Sequence, residues 1–246
     1  MKELIFDLDH WEWKCLEDFG SYQDIHDFVG NQQAVDAHKS SMTYFAIDPA
    51  SHPENTDALL RTETEVRIKK SLFHFASSSI VSLCTTYEVA SKQFFKCLFV
   101  NHPMFMYDFI GAESRRGTIK LKDVVEARNY GKVIEDAANN AASAATKGKY
   151  SDILKRAAKL CDAQTNEQLV NQIDTIQRLR NRIVHEKESS SFGVKDVGEA
   201  HQHIAQAIEN LGHFAIKMDV PGRYTYILPE GTLVLSSIAF VAVDGA

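Results

Sequence analysis

Between Glu63 and Val100 the apolar residues return at alternating steps of three and four: Phe73, Ala76, Ile80, Leu83, Tyr87, Ala90, Phe94 and Leu98. A helix places positions spaced in this way on one face, so one long amphipathic helix is expected here. Asn101-His102-Pro103 should end it, because proline pushes its predecessor out of helical geometry and brings no backbone donor. Beyond it, the aromatic patch MFMYDFI predicts a short helix. The run AANNAASAATKGK predicts a surface loop, since asparagine and glycine offset the helical bias of alanine. A third helix is expected over roughly Tyr150 to Cys161, and a fourth starts near Thr165, where Thr165 and Gln168 have the spacing of a capping box. After a polar break at Ser189-Ser190-Ser191 and Gly193 comes a fifth, with Val197, His201, Ile204, Ile208, Leu211 and Ala215 as its stripe.

The pattern changes at both ends. Residues 1–60 hold short aromatic helical fragments around Trp11, Trp13, Phe19 and Phe28, then a loop with Pro49 and Pro53. Past Pro221-Gly222, the segment TYILPEGTLVLSSIAFVAV is rich in β-branched and aromatic residues, and Pro229-Glu230-Gly231 suits a turn. That predicts a β-hairpin with a possible third strand. The expected organisation is therefore mainly α: an acidic N-terminal extension over 1–60, a helical bundle over 61–219 and a small C-terminal β-hairpin over 220–246. A chain of 246 residues, 44% of them hydrophobic, can bury a substantial core.

Charge adds a second division. Residues 1–65 carry four Lys/Arg against fourteen Asp/Glu, a net of −10, within a total of −6. The window 115–132 has six basic residues against two acids, and 147–187 has nine against five. A polyanion would meet that part of the chain first, although solvated helix faces account for runs of this density equally well. The acidic segment has two readings. It lies over the basic helices around 115–132 and 155–187 and competes with a polyanion, or it is held by Trp11, Trp13 and Phe19 entering the core. Cys15, Cys84, Cys97 and Cys161 are too scattered for a metal knuckle or a disulfide framework and read as buried thiols. No stretch approaches the roughly 18 apolar residues of a membrane span, and MKELIFDLDHWEW lacks the order of a secretory signal, so a cytoplasmic protein without a membrane partner is expected.

The fourth helix carries candidate chemistry. At about 100° per residue, Leu169, Ile173, Ile176, Leu179, Ile183 and Val184 share one arc that faces the core. Arg180 falls in the same arc, where a long cation needs a partner or a wet cleft. Arg178, Asn181 and His185 form a polar strip on the other side. Arg180 and His185 lie about 140° apart on an ideal helix, so they meet only if the helix end loosens or the arginine reaches around. Glu88 projects to the edge of the long helix's stripe, from which it could pair with Arg180 as a structural tie or as an anchor that aims it.

The hexapeptide RNRIVH, with Arg180, the polar Asn181 and His185 on a late helix of a bundle, resembles the signature of HEPN domains, in particular ribonuclease-type families of the RiboL-PSP and MAE-like kind. The segment TTYEVASKQFFKCLF, with Glu88 ahead of apolar positions, is similar to a long-helix segment of several HEPN subfamilies. The resemblance covers roughly residues 61–219. It implies an HEPN-type antiparallel bundle and a metal-independent endoribonuclease that needs no cofactor. It also implies RNA as substrate, a homodimer whose protomers complete one site, and a toxin or defence role with a cognate antitoxin or regulatory protein. In such a site the RNA 2′-hydroxyl is the nucleophile, His185 moves a proton near neutral pH and Arg180 holds the crowded phosphate. Asn181 would orient the phosphate or the imidazole, Arg178 and Arg182 would bind substrate, and Glu88 would steady Arg180. The alternatives are a non-catalytic HEPN module for a nucleotide or partner protein, and a solvated helix end with His185 favoured by the helix dipole.

Three other signals carry less. ELIFDLDHW resembles the DxD motif of haloacid-dehalogenase-type phosphatases through Asp7 and Asp9, but His10-Trp11 follow where Thr or Val belongs, and no strand–helix alternation exists to build a parallel sheet. The two acids read as helix-start residues. His201 and His203, two apart on a helix, point to different sides and cannot share a metal; His201 is expected half-buried and His203 exposed. Gly148-Lys149 lacks the preceding glycine of a phosphate loop.

Overall fold

The computed structural model describes residues 4–41, 53–110, 130–186 and 192–225. Among these the chain is mainly helical: α1 (Leu8–Gly30), α2 (Gln32–Ser41), α3 (Pro53–Asn101), a 3-10 turn at Pro103–Met106 running into α4 (Tyr107–Ile110), α5 (Tyr130–Ala145), α6 (Tyr150–Leu160), α7 (Glu167–Asn181) and α8 (Val194–Lys217). Two short strands, β1 (Phe6–Asp7) and β2 (Gly222–Arg223), pair in parallel. No helix among the described residues is long and apolar enough to cross a membrane.

The spine is α3. Its 49 residues extend about 74 Å at the usual helical rise, and it packs against α1, α5, α8 and, less extensively, α7. Ala76, Ile80, Leu83, Tyr87, Ala90, Phe94 and Leu98 of the expected stripe are buried, and Cys84, Phe95, Cys97 and Phe99 are buried as well. Neighbours on several sides make α3 a central helix, whereas the three-and-four pattern alone describes a helix with one covered face. Proline ends it where expected: the 3-10 turn starts at Pro103.

Residues 8–41 form one continuous helix and a short second one rather than a set of fragments. Asp7 caps α1, its carboxylate accepting from the His10 amide at 3.1 Å. Phe6, Leu8, Cys15 and Tyr22 are fully buried, and the Trp11 indole donates to Gln93 of α3. Asp18 accepts from Ser82 at 2.9 Å and Thr86 at 3.4 Å, so α1 runs antiparallel to α3. Asp18 thus answers hydroxyls of α3, and α1 packs on α3 and α8 rather than on α6 and α7; residues 42–52 and 115–129, which the competing reading also involved, lie outside the described residues. Trp13 differs from expectation: it is 64% exposed, while Trp11 and Phe19 pack on the core.

The Ala/Asn-rich run is helix α5 and not a surface loop. Ala137, Ala138, Ala141, Ala142 and Ala145 are buried against α3, and their small side chains let the two backbones approach closely. Lys96 of α3 and Glu135 of α5 clamp the pair at 2.8 Å. Burial of that alanine face outweighs the weak local bias of the asparagines, one half-buried and one exposed. The fourth predicted helix starts one residue later than its capping box suggested: Asn166, not Thr165, accepts from the Gln168 and Leu169 amides.

Residues 226–246, where most of the predicted β-hairpin falls, lie outside the described residues. What precedes them is a parallel bridge to the N-terminal segment. Gly222 permits it, since a Cβ there would sit on the Phe6 carbonyl oxygen and the Tyr224 ring. The four cysteines are free and buried, and burial pushes each thiol up to about 12, which leaves them as small apolar side chains.

Candidate nucleic-acid site at the end of α7

α7 docks by the arc read from its sequence. Leu169, Val170, Ile173 and Ile176 are buried, and Leu179 and Ile183 pack partly against the core. Its polar side docks too, through side chains the sequence did not single out. Gln177 accepts from the Tyr150 amide at 2.9 Å and donates to the Gly148 carbonyl at 3.2 Å. Asp174 accepts from the Ser151 amide at 3.0 Å and its hydroxyl at 2.7 Å. Together they cap α6, whose own N-cap residue, Lys149, supplies no side-chain acceptor. A helix starting after a lysine was the available signal that its cap comes from elsewhere.

After Asn181 the helix widens into a π-helical turn over Arg182–Glu186. Each residue of such a turn advances less than the ~100° of an α-helix. The separation of ~140° between Arg180 and His185 therefore narrows, which is the loosening the pair requires. Val184, expected to face the core, is instead 44% exposed.

His185, Asn181, Arg178 and Arg182 are exposed, and Arg180 is half-buried. The His185 side chain hydrogen-bonds to no other described residue, Arg180 donates to the Asn181 side chain at 3.3 Å, and Arg178 donates to Thr175 at 2.9 Å. Arg180 Nε is buried without a partner among the described residues. The expected Glu88–Arg180 ion pair does not form. Glu88 instead accepts from the Tyr150 hydroxyl at 2.6 Å, and Tyr87 fixes the same tyrosine's carbonyl at 3.2 Å. A phenol at the start of α6, 62 positions away in sequence, occupies the carboxylate. Burial, then the neighbouring Cys84 and Glu88, raise the Tyr150 pKa, so it remains a donor. Cys84 is shifted chiefly by burial, with smaller influences from Tyr150, Glu88 and Arg180. The four residues mark the junction of α3, α6 and α7 beneath the exposed helix end.

The discounted signals resolve as structure. Asp7 caps α1 and lies 3.6 Å from Arg223, while Asp9 accepts from the Thr225 amide at 2.9 Å and from its hydroxyl. His201 stacks on Phe19 at 4.9 Å, and burial lowers its pKa. His203, expected to be exposed, is half-buried, with its Nδ1 enclosed and unpartnered among the described residues. No cluster of three or more His, Cys, Asp or Glu suited to a metal occurs among the described residues.

The class defined so far is a helical protein with a π-turned helix end that presents three arginines, an asparagine and a histidine. Comparison with known proteins takes it no further: no family model, no curated protein and no solved structure matches the chain.

Proposed function

We propose that this protein is a metal-independent endoribonuclease of HEPN type. The observation that carries the reading is the π turn, whose smaller advance per residue narrows the angle between Arg180 and His185, with His185 and Asn181 exposed. RNA supplies its own nucleophile in the 2′-hydroxyl. The chain needs an imidazole to take or give the proton and a permanent cation for charge gathering on the phosphate. Arg180 suits the cationic role, since its stem is half-buried and its guanidinium is tied, among the described residues, only to Asn181. Arg178 and Arg182 extend the positive surface for flanking phosphates. One histidine per helix end supplies one acid or base, so two protomers meeting at these ends would complete the pair, with the exposed Val184 as an apolar contact between them.

The test is to incubate the protein with mixed RNA in excess chelator beside His185→Ala. Cleavage that survives chelation and is lost in the variant supports the nuclease; equal activity in both sinks it. Binding without cleavage identifies a non-catalytic module for nucleic acid or nucleotide. Arg180→Ala should abolish cleavage with little loss of affinity, because it acts on charge developed in the transition state, while Arg178→Ala should mainly weaken binding.

A further inference from the structure

Beside the helix end stands a feature that the proposed chemistry does not use. The turn from Thr146 to Lys149 joins α5 to α6 and is fixed from three directions. Arg156 donates to the Ala145 carbonyl at 2.7 Å and to the Lys147 carbonyl at 2.6 Å. Gln177 of α7 holds the Gly148 carbonyl, and the Lys149 carbonyl accepts from the Ile153 amide at 3.1 Å. Gly148 has φ +107, a conformation that L side chains rarely adopt, and it turns the chain between two lysines. Lys147 and Lys149 are exposed, and neither makes an ion pair or side-chain hydrogen bond among the described residues. The residue gripping this turn, Gln177, directly precedes Arg178 and lies four before Asn181, about 6 Å along the axis. The nearest acid on α7, Asp174, is taken up by Ser151.

We infer that Lys147 and Lys149, on the turn clamped by Gln177 and Arg156, form a second backbone-binding element for single-stranded RNA, gripping phosphates a few nucleotides from the one at Arg180 and His185. The inference rests on the nuclease reading for its ligand and adds the strand's path: across the end of α7 toward the α5–α6 turn. The ligand meets lysine side chains and not the helix N-terminus, because Gln177 and Asp174 already occupy the first amides of α6. Such contacts carry affinity and no sequence preference. Holding the turn by backbone hydrogen bonds leaves only the two side chains to be ordered on binding.

The test is fluorescence anisotropy of a labelled mixed-sequence single-stranded RNA titrated at several salt concentrations. Losing two phosphate contacts on a single strand should lower the slope of log K against log salt by about 1.4, and hence affinity by about 25-fold near 0.1 M salt. Lys147→Ala/Lys149→Ala should show that loss with an unchanged Tm and, at saturating RNA, an unchanged kcat. Lys147→Arg/Lys149→Arg should keep the slope, as should Lys155→Ala/Lys159→Ala farther along α6. An alanine pair with the wild-type slope overturns the inference, as does a wild-type protein that binds no RNA. Should RNA bind through the lysines yet never be cleaved, the inference stands and the nuclease reading falls. Cleavage that depends on His185, with no slope change in the lysine pair, gives the reverse.

Discussion

Replacing Tyr150 by phenylalanine deletes one oxygen at the junction of α3, α6 and α7. The ring stays packed on Tyr87, 5.0 Å away, and the Tyr87 hydroxyl keeps its bond to the backbone carbonyl of residue 150. What disappears is the 2.6 Å donation to Glu88. A hydrogen bond to a charged acceptor contributes about 1.5–3 kcal/mol. Glu88 is only half-buried, so water recovers part of the loss and about 1–2 kcal/mol is expected. For a chain of this size that lowers Tm by about 2–8 °C. Urea unfolding followed by far-UV circular dichroism should show a lower midpoint with an unchanged slope. Glu88→Gln alone and combined with Tyr150→Phe completes a cycle in which the pair should couple by about 0.5 kcal/mol or more. A single variant within about 0.5 kcal/mol of wild type, with no coupling, would refute the claim that Tyr150 holds the carboxylate in place of Arg180.

Burial, with Glu209 across on α8 and Asp9 nearby, pushes the Glu12 carboxyl up from 4.5 to about 7. A folded pKa above the unfolded one means stability fully present below about 4.5 and lost as pH rises through about 7. Glu12→Gln should therefore raise the urea midpoint at pH ~8, by on the order of 1 kcal/mol after solvent screening, and match wild type near pH 4.5; a gain at both pH values contradicts the assignment. Ala141→Leu should cost about 1–3 kcal/mol by overpacking the α3–α5 contact, whereas a neutral result in thermal unfolding would show that contact to be loose. Deleting residues 1–30 removes Phe6, Leu8, Cys15 and Tyr22, apolar burial of roughly 1.5–3 kcal/mol for each large side chain, and should give an insoluble or unfolded protein. A folded, equally active truncation would show that α1 is dispensable.

Periodicity was sufficient where one helix face decides the outcome. The α3 stripe, the extent of α6, the stripe of α8 and the buried arc of α7 follow from residue spacing, and so does the awkward position of Arg180, charged within an apolar arc and found half-buried. Spacing is a local property, and it says nothing of what lies opposite. Only the folded chain sets the alanines of α5 against α3, which turns an expected loop into a helix, and packs one face of α1 on both α3 and α8. Only there does Glu88 find Tyr150, a better placed donor than Arg180. The π turn belongs to the same category. A widened turn is invisible in composition, yet it narrows the angle between Arg180 and His185 around the helix axis. Hydrogen-bond partners and helix faces are chosen by groups dozens of residues apart, so those choices exist only once the chain has closed on itself.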